Sequence, residues 1–522
     1  MGSVQAVVDL SHHLNELSKA RHESPLKAII KYMAYDGMLS LAGGLPHPSL
    51  FPFQSISLDT YPAGVELDAA NPDQVPPGLE VLSISKAAQG KDSLDLTTAL
   101  QYGGGMGDKT LIKWAHDFTS LVFQPASEDF QILMNAGNTD AWAKVVGLLC
   151  EPGDVVITEE YSYPSSQSKW IPLGCKAAPI KMDENGMRAD HLEQTLAEWE
   201  TVHPEQKRPH LLYIVPVGSN PAGTTMGAER RKAIYDICVK YDIIICEDDP
   251  YCFLQYPTYD YSVPSSPPGK VSSEKFLSSL VPSFLKFDYQ GRVIRLDTFS
   301  KTLAPGNRLG YFVANPLFCE KLLQATQVDT QAPSGWSQAI VMGLLNKWGT
   351  PGYIQWLGNL RDQYQTRRDW MCDSIATKFA IKPASSGSIP GAEGLVAFSK
   401  ISGKPLFSFV PPTGGMFIWC KIYFAGNAKF ETLKADPSCS DPEEVCSDGL
   451  WIDLCNAKVL VTPGSYYVPW QGREKATTKT RGGEESIGHF RLAFSMTTKE
   501  EMDEALQRIA NVFEDFWQGQ PI

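Results

Sequence analysis

GRVIRLDTFSKTLAPGNRLGY, Gly291 to Tyr311, is the stretch whose reading decides the fold. The apolar run from Val293 to Asp297 predicts a short strand, which opens into a polar loop broken by proline and glycine. Thr298, Ser300, Lys301 and Arg308 sit in that loop. Two hydroxyls and an arginine make a pocket for a dianionic phosphate, and the lysine sets an amine beside it. Taken alone, Lys301 reads as an exposed loop residue, because most lysines are exposed. The rest of the chain changes that balance.

Other strand–helix alternations flank this one. FQILMNAG (130–137), DVVITEE (154–160), LLYIVPV (211–217) and IIICEDDPY (243–251) read as strands, with helices such as NTDAWAKVVGLLC and AERRKAIYDICVKYD between them. Near-continuous aliphatic strands bounded by helices predict a mainly parallel sheet covered on both faces. Asp108 is placed to cap the helix KTLIKWAHDF. The glycines before it, GGGMG, do not have dinucleotide-fingerprint spacing, and no strand leads into them. GYIQWLGNLRDQYQTRRDWMCDSIATKF (352–379) is a long amphipathic helix suited to linking two domains. Beyond it GGMFIWCKI, AKVLVTPG and HFRLAFS alternate as strands of a smaller α+β domain. The last helix starts with a capping box, Thr498 and Glu501.

These readings divide the chain into three parts. Residues 1–53 form a helical arm (1–36) and an extended strip, LAGGLPHPSLFPF. Residues 54–345 form a large domain, with surface insertions at 60–95 and 257–285. Residues 346–522 form the linking helix and the small domain, with loop insertions at 384–408, 425–450 and 471–487.

Composition excludes several classes. At 522 residues with 43% hydrophobic and 20% charged content, the chain suits a soluble multi-domain enzyme. A net charge of −13 and no basic stripe argue against nucleic acid. No apolar run spans a bilayer. The N-terminus lacks a secretory h-region, Ala6 breaks a myristoylation motif, and GQPI matches no retention or peroxisomal tag. Eleven cysteines without a CxxC pair, and no glycosylation sequon, suggest free thiols in the cytoplasm and no metal site.

Ligands of open α/β sheets bind at the carboxyl ends of the strands. The polar residues at those ends are Asn138 and Thr139 at a helix N-terminus, Tyr163, Asn220, Asp248, Tyr251 and Lys301. Singly, each has a plain structural reading: Asn220 as a turn cap, Asp248 as a helix cap, Tyr251 as core. Together they supply a stacking ring, an anion site, a carboxylate and an amine, which suit a Schiff base with pyridoxal phosphate (PLP).

SNPAG, EDDPY, TFSK with an arginine seven residues on, and FRLAFS resemble the fold-type I PLP-dependent aminotransferases over residues 37–522. LAGGLPHPSLFPF, QY before the glycines, AGNTDAW and EDDPYCFLQY resemble most the branch of fungal aromatic amino acid aminotransferases and kynurenine/2-aminoadipate aminotransferases. His47, and Asn138-Thr139, depart from the kynurenine-type pattern. The resemblance implies an α/β fold with a seven-stranded, mainly parallel sheet in the large domain. It implies Lys301 as Schiff-base lysine and general acid–base, Asp248 on the pyridine nitrogen, and Tyr251 and Asn220 on the phenolic oxygen. Tyr163 would stack on the ring. Asn138, Thr139, Thr298, Ser300 and Arg308 would hold the phosphate, with Tyr102 reaching in from the partner of a homodimer. Arg491 would clamp the substrate carboxylate, and Gly44 would approach the substrate by its backbone.

The expected activity is ping-pong transfer of the amino group of an aromatic amino acid to a 2-oxo acid such as 2-oxoglutarate. Kynurenine or 2-aminoadipate as donor is the neighbouring reading. A PLP lyase or decarboxylase, or a non-catalytic PLP-binding regulator, are the others.

Overall fold

The computed structural model describes residues 8–518 except 24, 26–31, 33, 34, 40, 43, 72, 88, 89, 91, 92, 388, 390 and 471–475. Its centre is a seven-stranded sheet of β1 (Gln131–Asn135), β2 (Val155–Glu159), β3 (Lys176–Ile180), β4 (Leu211–Ile214), β5 (Ile244–Asp248), β6 (Val293–Thr298) and β7 (Gly310–Ala314), in the order β1-β7-β6-β5-β4-β2-β3. β6, β5, β4, β2 and β3 pair in parallel, and only β7 runs against its neighbours β6 and β1.

The reversal at β7 has a local cause. Only the loop 299–309 separates it from β6, too short for a crossover, so the chain returns antiparallel with Thr298 opposite Gly310. A Cβ at Gly310 would lie 2.3 Å from the Asp297 carbonyl, so glycine is required for this close return. The strands are aliphatic on both faces because both are covered. In β5, Ile244 and Cys246 pack into one buried cluster and Ile245 into the other.

Helices α1 (Lys109–Val122), α2 (Asn138–Leu149), α3 (Pro164–Trp170), α4 (Ala228–Lys240) and α5 (Pro316–Asp329) are among those flanking the sheet. Asp108 caps α1 as expected, accepting from the Thr110 and Leu111 amides. The helical run α6 (Gly335–Lys378) breaks at Gly349, whose φ of 64° is not helical, just before Pro351. The run therefore continues through position 345 and starts its second segment close to the expected linking helix.

A second, wholly antiparallel sheet follows, formed by β8 (Ala380–Pro383), β9 (Leu395–Phe398), β10 (Pro405–Phe409), β11 (Phe417–Tyr423), β12 (Thr462–Pro463) and β13 (Ile487–Ala493), in the order β8-β9-β10-β11-β13-β12. This corrects the reading of 384–408 as a loop, since β9 and β10 lie there with most of their side chains buried. Residues 425–450 hold α7 (Ala428–Ala435) and most of α8 (Pro442–Asn456), while 471–475 lie outside the described residues. AKVLVTPG contributes only the two residues of β12. The 60–95 insertion is bounded by a ribbon, Ser55–Thr60 paired antiparallel with Glu80–Ser85, and 257–285 contains the helix Ser273–Ser279 anchored by buried Phe276. The last helix, α9 (Lys499–Gln518), has its capping box. The Thr498 amide donates to Glu501 Oε2 at 2.8 Å and the Glu501 amide to Thr498 Oγ1 at 3.2 Å.

The N-terminal arm is described only as a 3₁₀ turn (Ser11–His13), the helix Glu16–Lys19 and their neighbours, and the remainder of that expected helix falls largely outside the described residues. Among the described residues no helix is long and apolar enough to cross a membrane.

Candidate active site

The polar ends of β1, β2, β4, β5 and β6 converge on a cavity of about 290 Å³, lined by Asn138, Thr139, Tyr163, Asn220, Asp248, Tyr251, Thr298, Ser300, Lys301 and Arg308, among others. Ten of the residues expected from sequence are thus brought to one place.

β5 places two carboxylates by alternation. Asp248 faces the cavity. Glu247, on the opposite face, meets the buried guanidinium groups of Arg231 and Arg295, both at 3.1 Å. Arg295 also reaches Asp249 at 3.1 Å and Asp297 at 2.8 Å, and stacks 4.0 Å over the Phe123 ring centroid. Glu247→Ala leaves two buried cations short of a counter-charge. We expect it to destabilise the fold by about 3–5 kcal/mol, seen as a fall in the thermal midpoint or in folded yield. An unchanged midpoint would contradict this role.

The loop after β6 builds the anion end. Thr298 Oγ1 lies 2.8 Å from Ser300 Oγ and accepts the Ser300 amide at 3.0 Å. Arg308 adopts the left-handed conformation (φ 45°) sparsely populated by non-glycine residues. This turns its guanidinium back over the loop, where it donates to the Pro305 carbonyl at 2.9 Å and the Ala136 carbonyl at 3.0 Å. Gly137 (φ 94°) permits that approach, since a Cβ there would lie 2.5 Å from Arg308 Nη2. α2 starts at Asn138, so its free amides face the same place. Hydroxyls, guanidinium and helix N-terminus make a cradle fitted to a phosphate, with Lys301 beside it. Burial pulls the Lys301 amine below the ordinary lysine value.

Asp248 is buried, and burial pushes its carboxyl up while donors from Tyr213 and Asn138 pull it back. Tyr251 is buried with its hydroxyl pushed up by desolvation. Asn220 is held from the second sheet, where Arg491 of β13 donates to its Oδ1 at 2.6 Å and to Thr462 Oγ1 at 3.3 Å. The Arg491 guanidinium carbon sits 4.2 Å from the Phe417 ring centroid and 5.3 Å from that of Tyr467, and its Nε is buried without a partner. Close contact of Gly218 with Gly415 brings β11 and Phe417 to this edge, as a Cβ on Gly218 would lie 2.3 Å from Gly415.

One expectation differs from the geometry, and two of the expected residues lie on the surface of the single chain. The Asn138 side chain does not face the phosphate cradle but bonds Asp248, leaving its amide at the helix N-terminus to serve an anion. Tyr102 is 63% exposed and does not line the cavity. Gly44 is exposed, with open space around it.

Tyr213, Trp142, Phe417, Thr462 and Tyr467 were not singled out from sequence. They lie inside strands, a helix or short turns, where an aromatic or threonine reads as filling. His12, His13 and Asp242 are near enough to one another to share a cation, but Asp242 already pairs with Arg292 at 2.7 Å, and none of these residues lines the cavity.

The family model for class I and II aminotransferases matches residues 75–509. An aromatic amino acid aminotransferase of Schizosaccharomyces pombe is 34% identical, covering 97% of this chain and 98% of its own length. An L-tyrosine:2-oxoglutarate aminotransferase of Serpula lacrymans is 34% identical over 88% of this chain and 84% of its own. The crystal structure of aminotransferase Aro8 from Candida albicans superposes with a TM-score of 0.82 at 30% identity, covering 98% of this chain and 99% of that one. With the phosphate cradle, the amine and the buried carboxylate all present, the chain belongs to the class I and II aminotransferases, enzymes that work with pyridoxal phosphate.

Proposed function

We propose that this aminotransferase takes its amino group from an aromatic amino acid and passes it to a 2-oxo acid such as 2-oxoglutarate. The observation that carries the donor class is the full-length similarity at 34% identity to an aromatic amino acid aminotransferase, with an L-tyrosine:2-oxoglutarate enzyme alongside. The aromatic rings of Phe417 and Tyr467 beside Arg491 support it.

In this reading Arg308, Thr298, Ser300 and the α2 N-terminus hold the cofactor phosphate, and Thr139 lines the same end. Tyr163 would lie against its ring, Asp248 would accept from its ring nitrogen, and Tyr251 and Asn220 would donate to its ring oxygen. When bound, the cofactor supplies an electron sink that acidifies the substrate Cα–H. Lys301 Nζ would hold the cofactor and would carry the proton from the substrate Cα and return it as general acid–base. Burial favours its neutral, proton-accepting form. Arg491 orients the substrate by a bidentate pair with its α-carboxylate.

The test is a visible absorption spectrum of purified protein before and after phenylalanine, tyrosine, kynurenine or 2-aminoadipate is added separately. Aromatic donors are expected to bleach the cofactor's visible band within one turnover and in the absence of oxo acid. Bleaching by 2-aminoadipate alone would move the donor class. A band that persists with every donor would reject transamination.

The homodimer and the cytoplasm belong to the same reading. Leu39, Leu41 and Leu50 are 90%, 102% and 78% exposed near the strip that also carries Gly44, an apolar run suited to a second copy. Exposed Tyr102 would then complete the partner's phosphate site. Sedimentation at micromolar concentration should give twice the 57.6 kDa chain mass; a single-chain mass would remove the dimer. The free, mostly buried thiols suit a reducing compartment.

A further inference from the structure

Asp248 ends β5 as a buried carboxylate, and no ion pair reaches it among the described residues. Each of its oxygens is held by one neutral donor. Asn138 Nδ2 donates to Oδ1 at 2.7 Å, and Tyr213 Oη donates to Oδ2 at 2.7 Å. The Asn138 amide cannot be turned over, because Nδ2 also donates to the Leu296 carbonyl at 3.0 Å, and reversal would set an oxygen against two acceptors. Its Oδ1 is buried without a partner, an arrangement that makes sense if the side chain is held for its donor end. Tyr213 is fixed in turn, its ring packed against Trp142 at 4.5 Å between centroids, with the Trp142 indole donating to the Ser166 carbonyl at 3.0 Å.

We propose that Asn138 and Tyr213 are positioning residues that clamp the Asp248 carboxylate from both sides and aim its remaining lone pairs at the ring nitrogen of the cofactor. The proposal rests on the PLP reading of this cavity and deepens it. A carboxylate with two donors at fixed angles keeps its negative charge and presents it in one direction. With one donor removed, the buried group can rotate or take up a proton, and it then no longer accepts from a protonated ring nitrogen. Asn138 thereby passes from the phosphate set to the ring-nitrogen set, and Tyr213 joins it.

The experiment compares cofactor affinity, read by tryptophan fluorescence quenching, for apo wild type, Asn138→Ala and Tyr213→Phe. Two probes are used: PLP and its deaza analogue, in which a C–H replaces the ring nitrogen. Tyr213→Phe keeps the ring packing, and thermal midpoints check that each variant is folded. Each variant is expected to bind PLP about tenfold more weakly than wild type, the loss of one hydrogen bond to a buried charge. For the deaza analogue, variant and wild type should agree within about twofold, because the ring has no nitrogen to be met. Equal losses for both probes would mean that the two residues merely shape the cavity, and would overturn the clamp. Undiminished PLP affinity in both variants would overturn it as well. Failure of the wild type to bind PLP at all would reject the reading of the cavity, and the clamp with it.

Discussion

Lys301→Ala is expected to lower kcat/KM for transamination by about 10⁴-fold or more, while leaving the fold in place. The residue sits in the loop 299–309 and not in the sheet, and its side chain is only half-buried, so truncation opens no large void. What is lost is chemical. Among the described residues it is the only amine lining the cavity, and burial favours its deprotonated form. No other lining side chain is placed both to bind the cofactor covalently and to shuttle the Cα proton; Tyr251, the nearest alternative in kind, has its hydroxyl pushed up by burial. Steady-state kinetics with tyrosine and 2-oxoglutarate, together with circular dichroism of the variant, check this. Turnover within tenfold of wild type would mean that another group does the proton transfer.

Arg491→Leu is expected to lower kcat/KM about 10²- to 10³-fold for both the amino acid and the oxo acid, from the loss of a charge-assisted bidentate contact. Both substrates share the α-carboxylate, so a parallel loss in the two half-reactions is the signature. Among the described residues no carboxylate pairs with Arg491. It has Asn220, Thr462 and two aromatic faces, and its Nε lacks a partner. A partly buried guanidinium so placed is short of an anion, which a substrate can supply. Burial pulls its pKa down from the ordinary value, yet a guanidinium remains charged throughout the working pH range. Arg491→Lys should rescue little, because an ammonium cannot repeat the planar fork. A loss confined to one of the two half-reactions would assign the carboxylate to another residue.

Five strands of the central sheet, β1, β2, β4, β5 and β6, were legible because they are near-continuous apolar runs ending in glycine, proline or charge, and the chemistry sits where those runs stop. β3 (KAAPI) and β7 were not read from sequence, the first being broken by lysine and proline and the second following β6 across a short loop. Asn220, Asp248 and Lys301 could be placed for that reason alone. β9 and β10 were not legible. LVAF and PLFSF are runs of four and five residues set among Gly, Ser, Pro and Lys, and what makes them strands is their covering by α6 and α9, which is a long-range fact. Tyr213 was hidden for a different reason. In a strand buried on both faces, a tyrosine aimed at a carboxylate has the same sequence context as one that fills core. For Asn138, its place after a strand suggested an anion site, but side-chain direction depends on Asp248 arriving from β5, 110 positions away. Tyr102 and Gly44 lie on the surface of the single chain, where local sequence cannot say what covers them.

The return from β6 to β7 has one more consequence. Ala304, Pro305 and Gly306 at the crest of that loop are exposed, with Lys301 on one side and Arg308 on the other. Strand pairing holds both stems, β6 against β5 and β7, and β7 also against β1. A chain nicked at the crest would become two polypeptides sharing one sheet, the first bearing the reactive amine and the second the guanidinium. The catalytic centre is thus a natural place to split this enzyme into fragments that report their reassembly by regaining activity.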